Sequence, residues 1–201
     1  MRHVKYLVWV DLETTGLDPD HHDIIEVGLV LTTASSPFDE IWSLSSCAMP
    51  PDLDWESRMG LQVERMHSQN GLLEEVHDHG RSIRDIELEI INALHVVGRP
   101  HEFMLAGSGV SHFDRRFIKT QMGGMDKWLQ HPSLDVGTIR RALKFSGRED
   151  LDGFGMTFNG ADKPHRGLAD VRDHLNEWRH YAVVFEEIER LDADANDSSP
   201  R

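Results

Sequence analysis

Apolar and polar positions along this chain change period several times, and each change marks an element. Lys5 to Asp11, Ile24 to Thr33 and about Glu40 to Cys47 read as three strands. The turns between them, Gly16-Leu17-Asp18-Pro19 and Ala34-Ser35-Ser36-Pro37, are short enough to favour antiparallel pairing. Pro50-Pro51 closes this block and the period becomes helical, over about Glu56 to Arg65, Ser68 to His77 and Ser82 to Val97. In the last of these, Ser82 with Asp85 forms a cap, and Ile83, Ile86, Ile90 and Leu94 form an apolar face that Leu88 and Ile91 broaden. Strand and helix then alternate. Phe103 to Ala106 is a buried strand, Ser111 to Gln121 a helix capped at Ser108 or Ser111, and Leu134-Asp135-Val136 a last short strand. Thr138 to Phe145 and Leu168 to about Leu191 are the closing helices. Three antiparallel strands followed by strand-helix alternation predict an α/β domain built on a mixed five-stranded sheet flanked by helices.

Composition narrows the setting. At 201 residues, 39% hydrophobic and 28% charged, the chain suits one folded domain over residues 1–191 rather than a disordered polymer. Residues 192–201, with Asp192, Asp194 and Asp197 before Ser198-Ser199-Pro200, read as an acidic, disordered tail. The single cysteine, Cys47, forms no intrachain disulfide, which fits a reducing cytoplasm. Apolar runs stay below the length of a signal sequence or membrane span, so no membrane partner is expected. The net charge of −14 changes the picture more. Affinity for long nucleic acid comes from neutralising many phosphates with cations, so an acidic chain that acts on nucleic acid favours short substrates.

The chemistry starts where the first strand ends. Val8-Trp9-Val10-Asp11-Leu12-Glu13-Thr14-Thr15-Gly16 presents two carboxylates two residues apart, on one face of a strand. Buried side by side they would repel, so a cation must join them, and hard oxygen donors suit Mg²⁺ or Mn²⁺ rather than structural zinc. Two further acids stand early in helices: Asp114 after the Gly107-Ser108-Gly109 turn, and Asp170 after Gly167. His165 precedes Asp170 by five residues, about 140° around a helix, so the two converge only if His165 lies on the preceding loop. Gly167 gives that loop freedom and Pro164 biases Lys163 away from helix. An imidazole there suits proton transfer near neutral pH.

Asp11-x-Glu13, Asp114 followed by Arg-Arg-Phe, and His165 before Asp170 resemble the three motifs of the DEDDh family of 3′-to-5′ exonucleases. Asp-Leu-Glu-x-Thr-Gly-Leu-Asp-Pro at 11–19, Ile24-Ile25-Glu26-Val27, His67 followed by Gly71-Leu72-Leu73-Glu74-Glu75-Val76, and Leu134-Asp135-Val136 are similar to its oligoribonuclease branch. The resemblance implies a ribonuclease H-like fold and two bound Mg²⁺ or Mn²⁺ ions. By the same resemblance Asp11 bridges both ions, Glu13 and Asp170 complete one site, Asp114 holds the second ion, and His165 is the general base. It implies substrate contacts as well. Leu17 wedges against terminal bases, unless it is an ordinary core residue; backbone around Thr14 grips the 3′ end; His67 touches phosphate, or is a capping or surface histidine.

The expected activity is release of nucleoside 5′-monophosphates from short single-stranded RNA. A DNA-directed relative similar to polymerase proofreading subunits and a non-catalytic nucleic-acid-binding domain are the alternatives. The family resemblance also implies a homodimer, for which Trp128 and Leu129 are either interface or core. Two positions depart from the oligoribonuclease pattern: Pro132 stands where an arginine that caps the substrate's 5′ phosphate is expected, and Gln62 where an aromatic is expected, with Trp55 or Met66 as substitutes. Asp135 reads as a helix cap, and Arg115 and Arg116 as braces for carboxylates or the domain surface.

Overall fold

The computed structural model describes residues 3–151 and 165–197. Five strands, β1 (Tyr6–Thr14), β2 (Ile24–Thr33), β3 (Glu40–Cys47), β4 (Phe103–Gly107) and β5 (Leu129–Asp135), form one sheet in the order β3-β2-β1-β4-β5. The β3-β2-β1 half is antiparallel and the β1-β4-β5 half parallel, so β1 is the central strand. This is the expected mixed sheet, and β2 and β3 have the predicted bounds.

Period two on β1 sorts its side chains between two cores. Val8, Val10 and Leu12 join Ile86, Ile90 and Leu94 of α3 (Ile83–Val97) and Phe117 and Ile118 of α4 (Asp114–Gln121). Leu7 and Trp9 pack on the other face with Val136 of α6 (Val136–Phe145) and Val171, Leu175 and Tyr181 of α7 (Gly167–Asp197). Burial on both faces explains why Tyr6 to Val10 is uninterruptedly apolar. A third cluster, Ile25, Trp55, Met59, Leu72 and Val76, docks α1 (Leu61–Gln69) and α2 (Leu72–His79) against the β2 side. No helix among the described residues is long and apolar enough to cross a membrane.

Several element boundaries differ from the sequence reading: β1 runs past Asp11 to Thr14, β4 past Ala106 to Gly107, α2 begins at Leu72 rather than Ser68, and α6 at Val136 rather than Thr138. The helix expected from Glu56 splits into a 3-10 turn at Trp55–Arg58 and α1, because Met59 and Gly60 are extended between them. Neither Ser108 nor Ser111 caps α4; it begins at Asp114 after a coil in which Phe113 N–H bonds Gly109 O and Arg115 N–H bonds Val110 O. β5 is seven residues long and contains Pro132, which an edge strand tolerates. Its register jumps between Phe103↔Leu129 and Leu105↔Ser133, and Arg115 Nη1 donates to the Gln130 and His131 carbonyls at that irregularity, both at 2.8 Å. Finally, α7 runs to Asp197, past the expected end near Leu191. A short α5 (Gly123–Asp126) was not foreseen; buried Glu87 caps it by accepting from Gly124 and Met125 N–H.

Candidate active site

β1 ends at the cleft. Its pairing with β4 stops at Trp9↔Ala106, whereas its pairing with β2 continues through Glu13↔Glu26 and, after a register shift, to Thr14↔Ile24. Past the end of β4 the Leu12 N–H is taken by Asp114 Oδ1 at 2.9 Å, which draws the first residue of α4 against the strand. Asp114 is 3% exposed. From the opposite face α7 delivers Asp170 in its first turn, with His165 on the segment just before the helix. One ligand atom from each of Glu13, His165 and Asp170 lies within 4.8 Å of the others. These three, with Asp11 and Asp114, line one open cleft of about 410 Å³ whose remaining wall is Leu12, Ser108, Phe113 and His174. All five residues named for the metal and base roles therefore converge.

Electrostatics mark this cleft as a cation site. Burial, reinforced by the carboxylates of Glu26, Asp170 and Asp114, pushes Glu13 up to about 8, with Arg166 opposing. Burial also pushes Asp114 up to about 7, despite the N–H bonds it accepts from Leu12 and its own backbone. Carboxylates that hold protons near neutrality are carboxylates short of positive charge. Oxygen donors with a single adjacent imidazole fit Mg²⁺ or Mn²⁺ better than a softer ion.

The segment carrying His165 is fastened at several points. His165 has φ of 44°, in the left-handed region, where a side chain persists only when its surroundings hold it. Asn70 Nδ2 donates to the His165 carbonyl at 3.0 Å. Arg166 binds Glu75 through both Nη atoms, at 2.8 and 2.6 Å, and Glu26 through Nε and Nη2, each nearest at 3.2 Å. Glu26, 1% exposed, also accepts from Gly167 N–H at 3.0 Å. Gly167 does not supply loop freedom, as its sequence context implied. It is needed for close approach: a Cβ there would lie 2.8 Å from Gly28 N, and one on Gly28 2.1 Å from Gly167 C. Lys163 and Pro164 lie outside the described residues.

Sequence reasoning missed Glu26, Asn70, Glu75 and Arg166 as site residues, although Glu26 and Glu75 sit inside the runs that carry the resemblance. It also missed His174, one turn beyond Asp170 and so on the same helix face.

The substrate-side candidates separate. Leu17 is 73% exposed beside the cleft strand, so it is not a core residue. Thr14 is buried and its hydroxyl donates to Gly16 O at 2.7 Å, leaving no free side-chain donor for a ligand. His67 is neither a surface nor a helix-capping residue. It is 0% exposed, with Nε2 3.2 Å from the Thr14 carbonyl and 3.8 Å from Glu13 Oε2, and burial lowers its pKa. The ring braces the end of β1 from inside, next to the cleft carboxylate Glu13. Trp55 is buried and unavailable to replace the aromatic missing at Gln62. Leu129 is buried and Trp128 packs edge-on against Phe103 at 6.0 Å, so both serve the core. Asp135 caps α6, its Oδ1 accepting from Thr138 N–H at 3.0 Å and Gly109 N–H at 3.1 Å.

Comparison with known proteins agrees with this geometry. A family model described as an exonuclease, RNase_T, matches residues 8–177. The oligoribonuclease of Corynebacterium diphtheriae is 32% identical over 96% of this chain and 89% of its own. That of Acinetobacter baylyi is 27% identical over 89% and 93%. Among solved structures, E. coli exonuclease I in complex with a dA16 oligonucleotide superposes with a TM-score of 0.64 at 16% identity, over 88% of this chain. This chain spans 40% of that protein, and the likeness is one of fold. With the family match over most of its length and the oligoribonuclease match over nearly all of it, the chain belongs to the exonuclease family, among the oligoribonucleases.

Proposed function

We propose that this protein hydrolyses short single-stranded RNA from the 3′ end, releasing nucleoside 5′-monophosphates, with two Mg²⁺ or Mn²⁺ ions. The observation that carries the reading is the convergence of Asp11, Glu13, Asp114, Asp170 and His165 on one cleft with proton-holding carboxylates. Asp11, Glu13 and Asp170 would hold one ion, and Asp11 with Asp114 would hold the second. When bound, such ions neutralise the phosphate and lower the pKa of water. His165 takes the proton of the attacking water at a ring nitrogen, and the Arg166 clasp keeps that ring over Glu13 and Asp170. Exposed Leu17 packs against the terminal base, and backbone around residues 12–16 holds the 3′ end. Assembly as a homodimer belongs to the same reading and is checked by sedimentation velocity.

Incubating 5′-labelled RNA and DNA oligomers of two to about twenty nucleotides, a range spanning weak and strong phosphate neutralisation, tests the proposal. An RNA ladder shortening from the 3′ end, abolished by EDTA, is expected. A ladder formed preferentially on DNA favours the proofreading-like alternative, and hydrolysis undiminished in excess EDTA overturns the mechanism.

A further inference from the structure

In a chain of net charge −14, α6 is the one α-helix of the described residues without an acidic residue. Four of the 21 Lys and Arg fall within residues 140–148. They divide by direction. Arg140 turns inward onto Glu177, whose Oε1 also accepts from Tyr181 at 2.8 Å. Arg141 and Lys144 face solvent and make no ion pair among the described residues, and between them and the helix end stands Phe145, 86% exposed. Arg148 follows just past the helix, held to Asp150 by an exposed pair that contributes little. Among the described residues Arg141 bonds the Thr138 hydroxyl, at 3.0 Å, and no carboxylate.

The helix starts at the cleft. Ser108 lines it, and a Cβ on Gly137 would meet Ser108 Oγ at 2.7 Å and Arg141 Nη1 at 3.4 Å, which puts the guanidinium beside the rim. From Gly137 to Phe145 the helix rises about 12 Å, the length of about three stacked nucleotides. Cations near consecutive phosphates and an aromatic face for a base are the two parts of a sequence-tolerant single-strand site.

We propose that Arg141, Lys144 and Phe145 form a track for the part of a single-stranded oligonucleotide lying 5′ of the nucleotides in the cleft. The proposal rests on the nuclease reading for its direction, and it supplies a grip on chains longer than a dinucleotide where Pro132 removes the expected phosphate cap. The two phosphate contacts are ionic and the Phe145 contact is not, so they have separable signatures.

The test measures anisotropy of a 5′-fluorescein octaribonucleotide in EDTA across salt, alongside dinucleotide kcat/KM with Mn²⁺. For the double variant Arg141→Gln, Lys144→Gln, octamer Kd should rise about tenfold and the slope of log affinity against log salt should shrink by about 1.4, two contacts at about 0.7 each. Dinucleotide kcat/KM should stay within about twofold of the starting protein. Phe145→Ala should weaken the octamer by about fivefold or more with the salt slope unchanged. All three side chains are exposed, and equal Tm values check the fold. Octamer affinity and slope unchanged in both variants overturn the track, as does a change confined to self-association, which would make this face a contact between copies. Failure of wild-type protein to cleave the dinucleotide overturns the nuclease reading instead, and the EDTA binding arm still decides the track.

Discussion

Asp11 lines the cleft on β1 and in the proposed mechanism would hold both ions, so Asp11→Ala should lower turnover by more than about 10³-fold, because two-metal stabilisation is lost as a unit. Its circular dichroism and Tm should stay close to wild type; near-normal hydrolysis would remove Asp11 from the mechanism. His165→Asn asks a different question, since the base acts on water. Turnover should fall while Mn²⁺ affinity, read by calorimetry, is largely retained; a wild-type rate and pH profile would place the base elsewhere. The carboxylates make a third test. Glu13 is pushed up to about 8 and Asp114 to about 7, so the metal-free native state holds protons that the unfolded chain has released. Between pH about 6.5 and 8 metal-free stability therefore falls as pH rises, since the native state binds more protons than the unfolded one. His67, whose pKa is lowered by burial, acts in the opposite sense, at the acid end of this window and below it. A bound divalent ion displaces those protons, so the gain in Tm on adding Mn²⁺ should be larger at pH 8 than at pH 6.5. An equal gain at both values would contradict the buried-carboxylate account.

At the scale of elements, the site is held by contacts between β2, α2 and the start of α7. Arg166 carries them: it joins a buried strand carboxylate, Glu26, to a half-exposed helix carboxylate, Glu75, while its neighbour His165 presents the imidazole. Arg166→Met leaves Glu26 buried without its cation, and loss of one partner from such a pair costs about 3–5 kcal/mol, which lowers Tm. It should also reduce kcat by about 10- to 100-fold, the usual range for a group that orients an active residue, with KM for a short oligomer within about threefold. Arg166→Lys should not restore kcat, because an ammonium cannot reproduce two bidentate contacts. A variant with raised KM and normal kcat would mean that the clasp serves binding. The strand β2 was legible as a near-continuous apolar run, since it is buried on both faces, and β3 as a shorter half-buried run, with the Ala34-Ser35-Ser36-Pro37 turn between them. β5 was not: a strand with Pro132 inside it is permitted only because it lies at the edge and Arg115 satisfies the carbonyls at its irregularity.

For the whole molecule, charge and shape set substrate length. The −14 charge opposes long polyanions, whereas Pro132 in place of an arginine removes the feature that would make a dinucleotide uniquely good. kcat/KM across RNA lengths should favour short oligomers over long ones, with a dinucleotide advantage under about tenfold, roughly 1.4 kcal/mol, over chains of four to six. A hundredfold advantage would reveal a substitute cap, with exposed His131 the first residue to replace, and a rate rising steadily with length would overturn the charge argument.

The apolar runs and the turn residues determine by themselves the α/β class, and the order of acids along the chain, through the family resemblance it carries, gives the candidates Asp11, Glu13, Asp114, Asp170 and His165. The class rests on local period, and the candidates on three motifs standing in one order along the chain. Tertiary structure alone decides which polar groups remain available. Nothing in the sequence tells that the Thr14 hydroxyl is taken by Gly16 O or that the His67 ring lies against the Thr14 carbonyl, and Leu17 reads as core as readily as contact until the turn leaves it in solvent. Gly28 and Gly167 are ordinary glycines in the sequence, 139 positions apart by number; only the seating of α7 against β2 makes their missing side chains necessary. The physical reason is common to all of these: burial and hydrogen-bond satisfaction are properties of non-local neighbours, and no window of sequence contains them.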